Sequence, residues 1–365
     1  MILFEQRGSL QTVWCELACR GVMGETGPVR VVAAFDKFRG SATARDLARA
    51  VGRAASENGW SCSQVPLADG GEGMLDVFGG PNRQAIVTGP LGDPVEAGFR
   101  IDGGRAVVEM ARASGLDLVG GAAGNDALSA TSAGTGELIT EAVSCGARRI
   151  IVGVGGSACT DGGLGALRAM EPLARLAGCS IEVACDVRID FVSAATRFGP
   201  QKGASPAQVE LLVRRLERLA QVYADQFGID VTRLEGAGAA GGLAGGLAAM
   251  GAQLVSGFDL VADEVGLDGL LAGADLVVTG EGLLDDQSVD GKVVGGVLDM
   301  AHEFGVEAMV VCGSVDAGDW DRSLLDGVEV VSLADAFGLD AAMSDTVSLV
   351  GRVVSDALSA RGGRR

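Results

Sequence analysis

Two loops of the sequence repeat the pattern D-G-G-x-G, with Asp69 in LADGGEG and Asp161 in CTDGGLG. Successive glycines allow backbone N–H groups to converge on an anion, and an aspartate beside them can bind a hydroxyl group or a metal-bound water. A permissive turn explains either loop taken alone, because glycine also serves wherever a chain turns sharply. The two loops together predict a site for a phosphorylated and hydroxylated ligand.

Lysine is scarce in this sequence. Of the 29 basic residues only Lys37, Lys202 and Lys292 are lysines, and each lies in a glycine-containing loop. Compositional bias is the alternative explanation for so small a number. Because an ammonium group is a compact charge that a planar guanidinium does not replace, we expect the three lysines to bind phosphate or carboxylate groups.

Three acidic residues come directly after predicted strands. Asp36 follows VVAAF, Asp186 follows EVAC and Glu281 follows DLVVTG. Ligands of open α/β sheets bind beyond the carboxyl ends of the strands, so we expect these acids to converge on one rim or on two facing rims of a cleft. An unpaired buried carboxylate is costly, and a cation must therefore reach them. With the glycine loops and the lysines, this set suits a phosphorylated ligand with Mg²⁺.

Composition excludes several classes of function. The formal charge of −19 argues against binding to nucleic acid, and no apolar run is long enough to span a membrane. The one histidine, His302, is expected in the last turn of a helix, so a Ser-His-Asp or Cys-His mechanism is not expected. Eight cysteines without a CxxC pair indicate a reducing cytoplasm.

One competing motif is GAGAAG at 236–241, which matches the dinucleotide-binding pattern G-x-G-x-x-G and has Asp259 about 20 residues later. That pattern needs a buried strand immediately before it. The preceding FGIDVTRLE offers at most a short polar strand. An ordinary P-loop, G-x-x-x-x-G-K-[ST], does not occur in the sequence.

Strand and helix patterns alternate along the chain, which predicts an α/β protein with mainly parallel sheets. Residues 86–110 are instead typical of a hairpin, with turn signals at GPLGDP and IDGG. A clear helix begins after Ser205 and ends at Gly228. Six strands are predicted, at 29–36, 147–154, 181–187, 274–280, 306–313 and 328–333.

The length of 365 residues predicts two domains. We predict that residues 29–75 plus 270–365 form a Rossmann/flavodoxin-like domain with a parallel sheet, and that residues 76–269 form a mixed α/β domain inserted into it. Residues 1–28 are predicted to be an N-terminal extension, disordered or not native, with Met23 as an alternative start. Cys15 and Cys19 have the spacing of a helical metal pair, but no second pair accompanies them and zinc is not expected.

The chain resembles the bacterial type I glycerate kinase family over about residues 29 to 355. Eight motifs carry the resemblance, in the order in which the family has them, and this is far more specific than one glycine-rich loop. They are VVAAFDKFRGSATA, PLADGGEG, VVEMARASGL, ATSAGTGELI, IIVGVGGSACTDGGLGAL, FGPQKGASP, GAGAAGGLAGGL and ADLVVTGEGLLDDQSVDGK.

The resemblance implies a cytoplasmic enzyme that phosphorylates D-glycerate with ATP and Mg²⁺, most often at the 2-hydroxyl to give 2-phosphoglycerate. The reaction is expected in a cleft between the two α/β domains, and a homodimer is considered for the assembly. Phosphoryl transfer requires positioning, charge neutralisation and a group that orients the attacking hydroxyl. In that scheme, Asp161 or Asp69 would accept or orient the hydroxyl proton.

The remaining roles follow from the same scheme. Lys37 and Arg39 would bind the glycerate carboxylate or the transferred phosphoryl group, while Lys202 and Lys292 would neutralise phosphates of ATP. Magnesium would be held by Glu281 and Asp286, with Asp186 as a further candidate. The residues expected around glycerate are Gly70, Gly71, Glu72, Gly155, Gly156, Ser157 and Lys202, and those expected around the nucleotide are Gly280, Gly282 and Lys292.

The sequence departs from the family pattern in two places relevant here. After VACDV it reads RIDFVSAATR where the family has an Asn-Pro-Leu turn, and Leu283 occupies a position that is more often polar. A catalytically impaired relative that binds glycerate or nucleotide as a sensor is therefore an alternative hypothesis. A nicotinamide-dependent oxidoreductase built on GAGAAG is a third.

Overall fold

The computed structural model of the chain describes residues 29–289 and 292–362. The predictions for residues 1–28, including Met23, Cys15 and Cys19, lie outside the described residues. Within the described ranges the chain folds around two separate sheets, which confirms the predicted α/β class with one parallel and one mixed sheet.

The first sheet is built from the two ends of the described chain. Its five strands are all parallel and lie in the order β13-β11-β9-β1-β2. Because Phe35 pairs with Gly280 in the register of β1 and β9, the carboxyl ends of these two neighbours lie side by side. The strands are β1 (Arg30–Phe35), β2 (Ser61–Pro66), β9 (Leu276–Gly280), β11 (Glu307–Cys312) and β13 (Glu329–Ser332).

The second sheet begins as a hairpin and continues as a parallel sheet. Strands β3, β4 and β5 pair antiparallel, as predicted for residues 86–110, and β5 to β8 pair in parallel. The strands are β3 (Arg83–Thr88), β4 (Pro94–Asp102), β5 (Arg105–Glu109), β6 (Arg149–Gly153), β7 (Ser180–Ala184) and β8 (Gln253–Val255); a separate pair consists of β10 (Leu283–Leu284) and β12 (Ser314–Val315).

The described helices connect these strands. They are α1 (Ala44–Glu57), α2 (Met74–Val77), α3 (Ala111–Ser114), α4 (Ala133–Ser144), α5 (Leu164–Ala169), α6 (Ala194–Phe198), α7 (Pro206–Phe227), α8 (Leu243–Ala249), α9 (Gly257–Val265), α10 (Leu267–Leu271), α11 (Asp286–Val289), α12 (Val293–Phe304), α13 (Leu333–Phe337), α14 (Leu339–Ser344) and α15 (Thr346–Gly362). None of those described is both long and apolar enough to cross a membrane.

The predicted helix signals act through their end groups. Ser205 and Gln208 form a reciprocal capping box at the start of α7, and Gly228 ends it with a φ of +73°. His302 lies in the last turn of α12, as expected for a cation near the negative end of a helix dipole.

Three large hydrophobic clusters hold the fold together. One packs on the second sheet and one on the first. The third joins the two sheets, since it contains Val32 and Val277 from the first, Val107 and Ile151 from the second, and Phe258 of α9. The division at about residues 75 and 270 stays a prediction, and helices α9 and α10 pack in the joining cluster.

Candidate active site

The loop that follows β1 brings a lysine between two carboxylates. Lys37 Nζ lies 3.7 Å from Asp36 Oδ1 and 4.0 Å from Asp69 Oδ1. Asp36 also accepts a hydrogen bond from the Lys37 backbone N–H at 2.7 Å, which fixes its carboxyl group at the strand end. The sequence pattern of a strand running into a carboxylate therefore leads directly to this cluster.

Burial and mutual repulsion determine the charges of this cluster. Burial and the neighbouring charge of Asp69 together raise the pKa of Asp36 to about 6, against the lowering effect of Lys37. Burial alone would lower the pKa of Lys37, but Asp36 and Asp69 outweigh it and the pKa is raised. Lys37 is thus a firmly charged ammonium, while Asp36 is an unusually basic carboxylate.

The glycine loops after β2 and β6 pack directly on one another. A Cβ on Gly155 would lie 2.7 Å from the Cα of Gly71, and one on Gly70, which has a φ of +82°, would lie 2.7 Å from the Ala184 carbonyl oxygen. A side chain on Gly156 would clash with the Glu72 carboxylate. These glycines allow the backbones of the two sheets to touch at the cleft, so contact between protein loops is one reason for their presence.

A cleft of about 1430 Å³ opens beside this contact. Its walls combine the loop after β1 with the glycine loop after β6, so that Lys37 faces the same space as Ser157 and Lys202. Arg39 lies at its edge with 79% of its side chain exposed and 3.5 Å from Glu72. Of the predicted site residues, the cleft is lined by Lys37, Arg39, Glu72, Gly155, Gly156, Ser157 and Lys202.

Lys202 is buried at the wall of the cleft. Its ammonium donates hydrogen bonds to Ser157 Oγ at 2.8 Å and to the Cys159 carbonyl oxygen at 2.6 Å. Burial lowers the pKa of Lys202 to about 8, and the charge of Asp161 opposes that effect. Through these two bonds Lys202 holds the loop after β6 in place. Since an ammonium group has three N–H donors, one is left for a ligand.

A second cavity, of about 450 Å³, lies at the carboxyl end of β9. It is lined by the predicted residues Asp69, Glu281, Gly282 and Lys292. The Lys292 ammonium is 3.4 Å from Gln287 Oε1. The cleft and this cavity share the residues of one loop, and they meet there; these are Asp36, Lys37, Phe38, Arg39 and Ser41.

Two strand-end carboxylates carry an oxygen with no protein partner. Among the residues that the structure describes, Glu281 Oε1 and Asp186 Oδ2 are buried without a hydrogen bond. Burial raises the pKa of each group to about 7. Glu281 faces the smaller cavity, whereas Asp186 lines neither the cleft nor that cavity and accepts a hydrogen bond from Gly257 N–H at the start of α9.

The described residues place no three His, Cys, Asp or Glu side chains where they could hold a metal together. Asp286 is exposed and lines neither cavity, so of the three predicted metal ligands only Glu281 faces one. Gly280 is buried in the sheet, where a Cβ would clash with the Val311 carbonyl oxygen. Strand packing therefore accounts for the lack of a side chain at this position.

Asp161 does not join the Lys37 cluster. Its carboxylate accepts hydrogen bonds from the N–H groups of Ser132, Gly163 and Gly165 at 2.8, 3.0 and 3.2 Å, and from the Ser132 hydroxyl at 2.9 Å. It therefore links the start of α5 to the start of α4. From the sequence alone, an aspartate that binds backbone N–H groups cannot be told from one that faces a ligand, and the sequence therefore makes Asp161 a candidate for the catalytic role.

The glycines next to Asp161 serve the same packing. A Cβ on Gly162 would lie 2.9 Å from the ring of Phe191, and one on Gly163 would lie 3.1 Å from the Cα of Gly246. Protein atoms thus occupy the space that a side chain at either position would need.

The GAGAAG segment does not form a dinucleotide-binding turn. It enters a short 3₁₀ helix at Ala239–Gly242, and the element before it is another 3₁₀ helix, Val231–Arg233, instead of a strand. A Cβ on Gly238 or Gly241 would clash with backbone carbonyl oxygens of the loops beside them. Close packing accounts for this motif.

The loop that departs from the family pattern is anchored. Phe191 is fully buried, and its ring centroid lies 6.1 Å from that of Tyr223. Asp190 accepts hydrogen bonds from the N–H groups of Val192 and Ser193 at the start of α6. The substituted segment thus has its own core contact and an Asp190 turn that leads into α6.

Several charged residues of the cleft wall are not among the site residues predicted from the sequence. Glu109 is buried and accepts hydrogen bonds from Gly73 and Leu75 N–H groups, each at 3.2 Å, while Arg112 lies 3.5 Å from it. Arg45 also lines the cleft. Glu109 follows the run AVV at the end of β5, so the rule that singled out Asp36 would have found it.

Comparison with known proteins places these features in a wider set. The model of the glycerate kinase family matches residues 31–173 and 170–360. The glycerate 2-kinase of Escherichia coli strain K12 is 39% identical over 296 residues, which cover 70% of this chain and 77% of that protein. The glycerate kinase of Bacillus subtilis strain 168 is 37% identical over 294 residues, with coverage of 70% and 77%.

A solved structure agrees with the sequence relatives. The crystal structure of a candidate glycerate kinase 2 from Salmonella typhimurium LT2 superposes with a TM-score of 0.75 and 36% sequence identity. The match covers 92% of this chain and 99% of the other. Fold and sequence similarity therefore extend over both sheets.

Proposed function

The chain belongs to the glycerate kinase family, and on that premise we propose that it transfers the terminal phosphoryl group of ATP to the 2-hydroxyl of D-glycerate. The observation that carries the proposal is that Asp36 and Lys37 line both the cleft and the smaller cavity. A donor in one space and an acceptor in the other would meet at these two residues. A cytoplasmic location and a homodimer stay predictions.

Cations of the cleft would hold glycerate. Lys37 and the exposed Arg39 line it, and the buried Lys202 lies in its wall with one N–H not used by Ser157 or Cys159. We assign the glycerate carboxylate to Arg39 and Lys202, since both are cationic donors that line the cleft. Lys37, at the junction, is assigned to the transferred phosphoryl group, whose charge it would stabilise in the transition state.

Asp36 is assigned as the acceptor of the hydroxyl proton. In the reaction the hydroxyl oxygen forms a bond to phosphorus, the bond from that phosphorus to the ADP oxygen breaks, and the proton passes to Asp36. A base with a pKa near 6 takes up a proton more readily than an ordinary aspartate. Asp69 keeps Lys37 in place and raises the pKa of Asp36, while Asp161 is assigned to positioning the loop after β6.

A divalent cation fits the smaller cavity. The buried Glu281 Oε1 has no partner among the described residues, and a hard cation would supply one. Mg²⁺ usually takes only one or two protein carboxylates and completes its shell with phosphate oxygens and water, which agrees with the lack of a three-residue cluster in the described chain. When bound, it would neutralise charge on the phosphates beside Lys292.

The test is an assay of ADP release with D-glycerate, ATP and Mg²⁺, followed by phosphorus NMR of the product. We expect turnover and 2-phosphoglycerate, and Lys37→Met is expected to lower kcat by about 10²-fold or more. Binding of glycerate or ADP without turnover would support the sensor hypothesis instead. Reduction of added NAD⁺ by D-glycerate without ATP would support an oxidoreductase, and formation of 3-phosphoglycerate would overturn the assignment of the hydroxyl.

A further inference from the structure

The smaller cavity has an apolar outer end. Leu339, Met343 and Leu283 line it with relative exposures of 62%, 49% and 49%. The described residues include nine large hydrophobic side chains that are exposed, and three of these surround this one cavity. Since isolated exposed hydrophobic residues are common but clusters mark binding sites, this grouping points to a ligand with an apolar face.

The inner end of the same cavity is charged. Lys37 and Lys292 line it together with Asp36, Asp69 and Glu281. The cavity therefore presents ammonium groups and a buried unpartnered carboxylate oxygen at one end, and aliphatic side chains and a thioether at the other. A ligand that matches both ends must combine a flat or apolar group with several negative charges.

We propose that this cavity binds the nucleotide, with the purine base packed against Leu283, Leu339 and Met343 and the phosphates directed to Lys292 and Lys37. The inference rests on the proposed function and adds where the nucleotide lies and which residues bind its base. Its volume, about 450 Å³, is within the range of small-ligand pockets. The phosphate end opens at Asp36 and Lys37, where the cavity meets the cleft.

The contacts suit a base held through its faces. Burying exposed leucine side chains against an aromatic ring removes apolar surface from water, and methionine sulfur makes favourable contacts with aromatic rings. A Cβ on Gly40 would lie 3.9 Å from the terminal methyl carbon of Met343, so the loop after β1 passes close to this apolar end. The apolar residue at position 283, where the family pattern is more often polar, then has a role as one wall of the base site.

The experiment measures binding by calorimetry in the presence of Mg²⁺, with ADP and inorganic tripolyphosphate as separate probes. The variants are Leu339→Ser and Met343→Gln, both at exposed positions, and the matched control is Leu91→Ser, which is 40% exposed and lines neither space. We expect Leu339→Ser and Met343→Gln to raise the Kd of ADP about tenfold while the Kd of tripolyphosphate changes less than twofold. Lys292→Ala should weaken both probes.

An unchanged Kd of ADP in both apolar variants would overturn the inference and place the base elsewhere, in the larger cleft or outside. So would an equal loss for ADP and tripolyphosphate, or the absence of ADP binding to the unaltered protein. Thermal unfolding of each variant checks that the fold is intact. The binding experiment needs neither glycerate nor turnover. ADP binding with the expected pattern but without phosphorylation of glycerate would therefore contradict the proposed function and leave the nucleotide site standing.

Discussion

At the level of single residues, the junction of the two cavities depends on how three charges are arranged. Asp36 is nine-tenths buried, and Lys37 lies between it and Asp69. Repulsion from Asp69 and loss of hydration both favour the protonated form of Asp36. The same arrangement keeps Lys37 charged over the whole physiological range, so protons exchange on the acid and not on the lysine.

The raised pKa of Asp36 predicts an acid limb in the pH profile of the enzyme, that is, a loss of activity at low pH. Since the base acts when deprotonated, kcat/KM for glycerate should fall as the pH decreases through about 6. Asp36→Asn should lower kcat by about 10²-fold or more and remove the limb, and Asp69→Asn should shift it to lower pH by removing a negative neighbour. Steady-state kinetics between about pH 5 and 9 measure all three proteins.

Asp286→Asn is the control for this series, because its carboxylate is exposed and lines neither cavity. It should leave the profile unchanged. An Asp69→Asn profile that coincides with that of the unaltered enzyme would contradict the coupling of the two acids. A limb that survives in Asp36→Asn would assign the proton to another group.

At the level of elements, the two glycine loops set the shape of the cleft. We expect Gly155→Ala to force the loops after β2 and β6 apart, because the new Cβ would lie 2.7 Å from the Gly71 Cα. The variant should lose about 1 to 3 kcal/mol of unfolding free energy, as overpacked sites do, and its KM for glycerate should rise about tenfold. Denaturant unfolding and kinetics measure the two effects.

Gly269→Ala is the matched substitution in α10, where no heavy atom lies within 4 Å of the added Cβ. It should stabilise the protein by about 0.5 to 1 kcal/mol, because alanine is the better residue inside a helix, and leave KM unchanged. Equal behaviour of the two variants would show that the loop contact has no special role.

Elements were more predictable than side-chain roles. Runs such as RIIVG and LVVTG predict buried strands by composition alone. Ser205 and Gly228 mark the start and the end of α7. The hydrogen bonds of Asp161 to Ser132 could not be predicted, because Ser132 lies 29 residues away in the sequence. The glycines beside it likewise gain their meaning from Phe191 and Gly246, which only the fold brings near.

At the level of the whole molecule, apolar contacts join the two sheets, and ion pairs fix helix α9 to the second sheet. The joining cluster packs Phe258 of α9 with residues from both sheets. On the same helix, Glu264 pairs with both Arg105 and Arg149, and Arg149 also binds Glu182 at 2.7 Å. Helix α9 therefore packs in the apolar cluster between the two sheets and is tied to the second sheet by its ion pairs.

The start of α9 predicts how stability depends on pH. Burial raises the pKa of Asp186 from a reference of 3.8 to about 7. Between these two pH values Asp186 is protonated in the folded protein but ionised in the unfolded chain. The charged carboxylate therefore destabilises the fold above pH 7, and this cost is relieved as the pH falls. Asp186→Asn should raise the unfolding free energy at pH 8 by about 1 to 2 kcal/mol.

The gain should shrink several-fold by about pH 4.5, where Asp186 is protonated in the folded protein, and vanish below the reference pKa of 3.8, where it is protonated in both states. Urea unfolding of both proteins at the two pH values, without nucleotide or Mg²⁺, measures the difference. A gain of equal size at both values would point to a change in hydrogen bonding at Gly257 and not to the charge.

The contact of Gly71 with Gly155 limits how this fold can diversify. Main chain meets main chain there, so neither position offers a side chain that substitution could enlarge, shrink or recharge to admit another hydroxy acid. A change of acceptor would instead have to act on the residues that line the cleft around this contact, such as Arg39, Glu72 or Arg112.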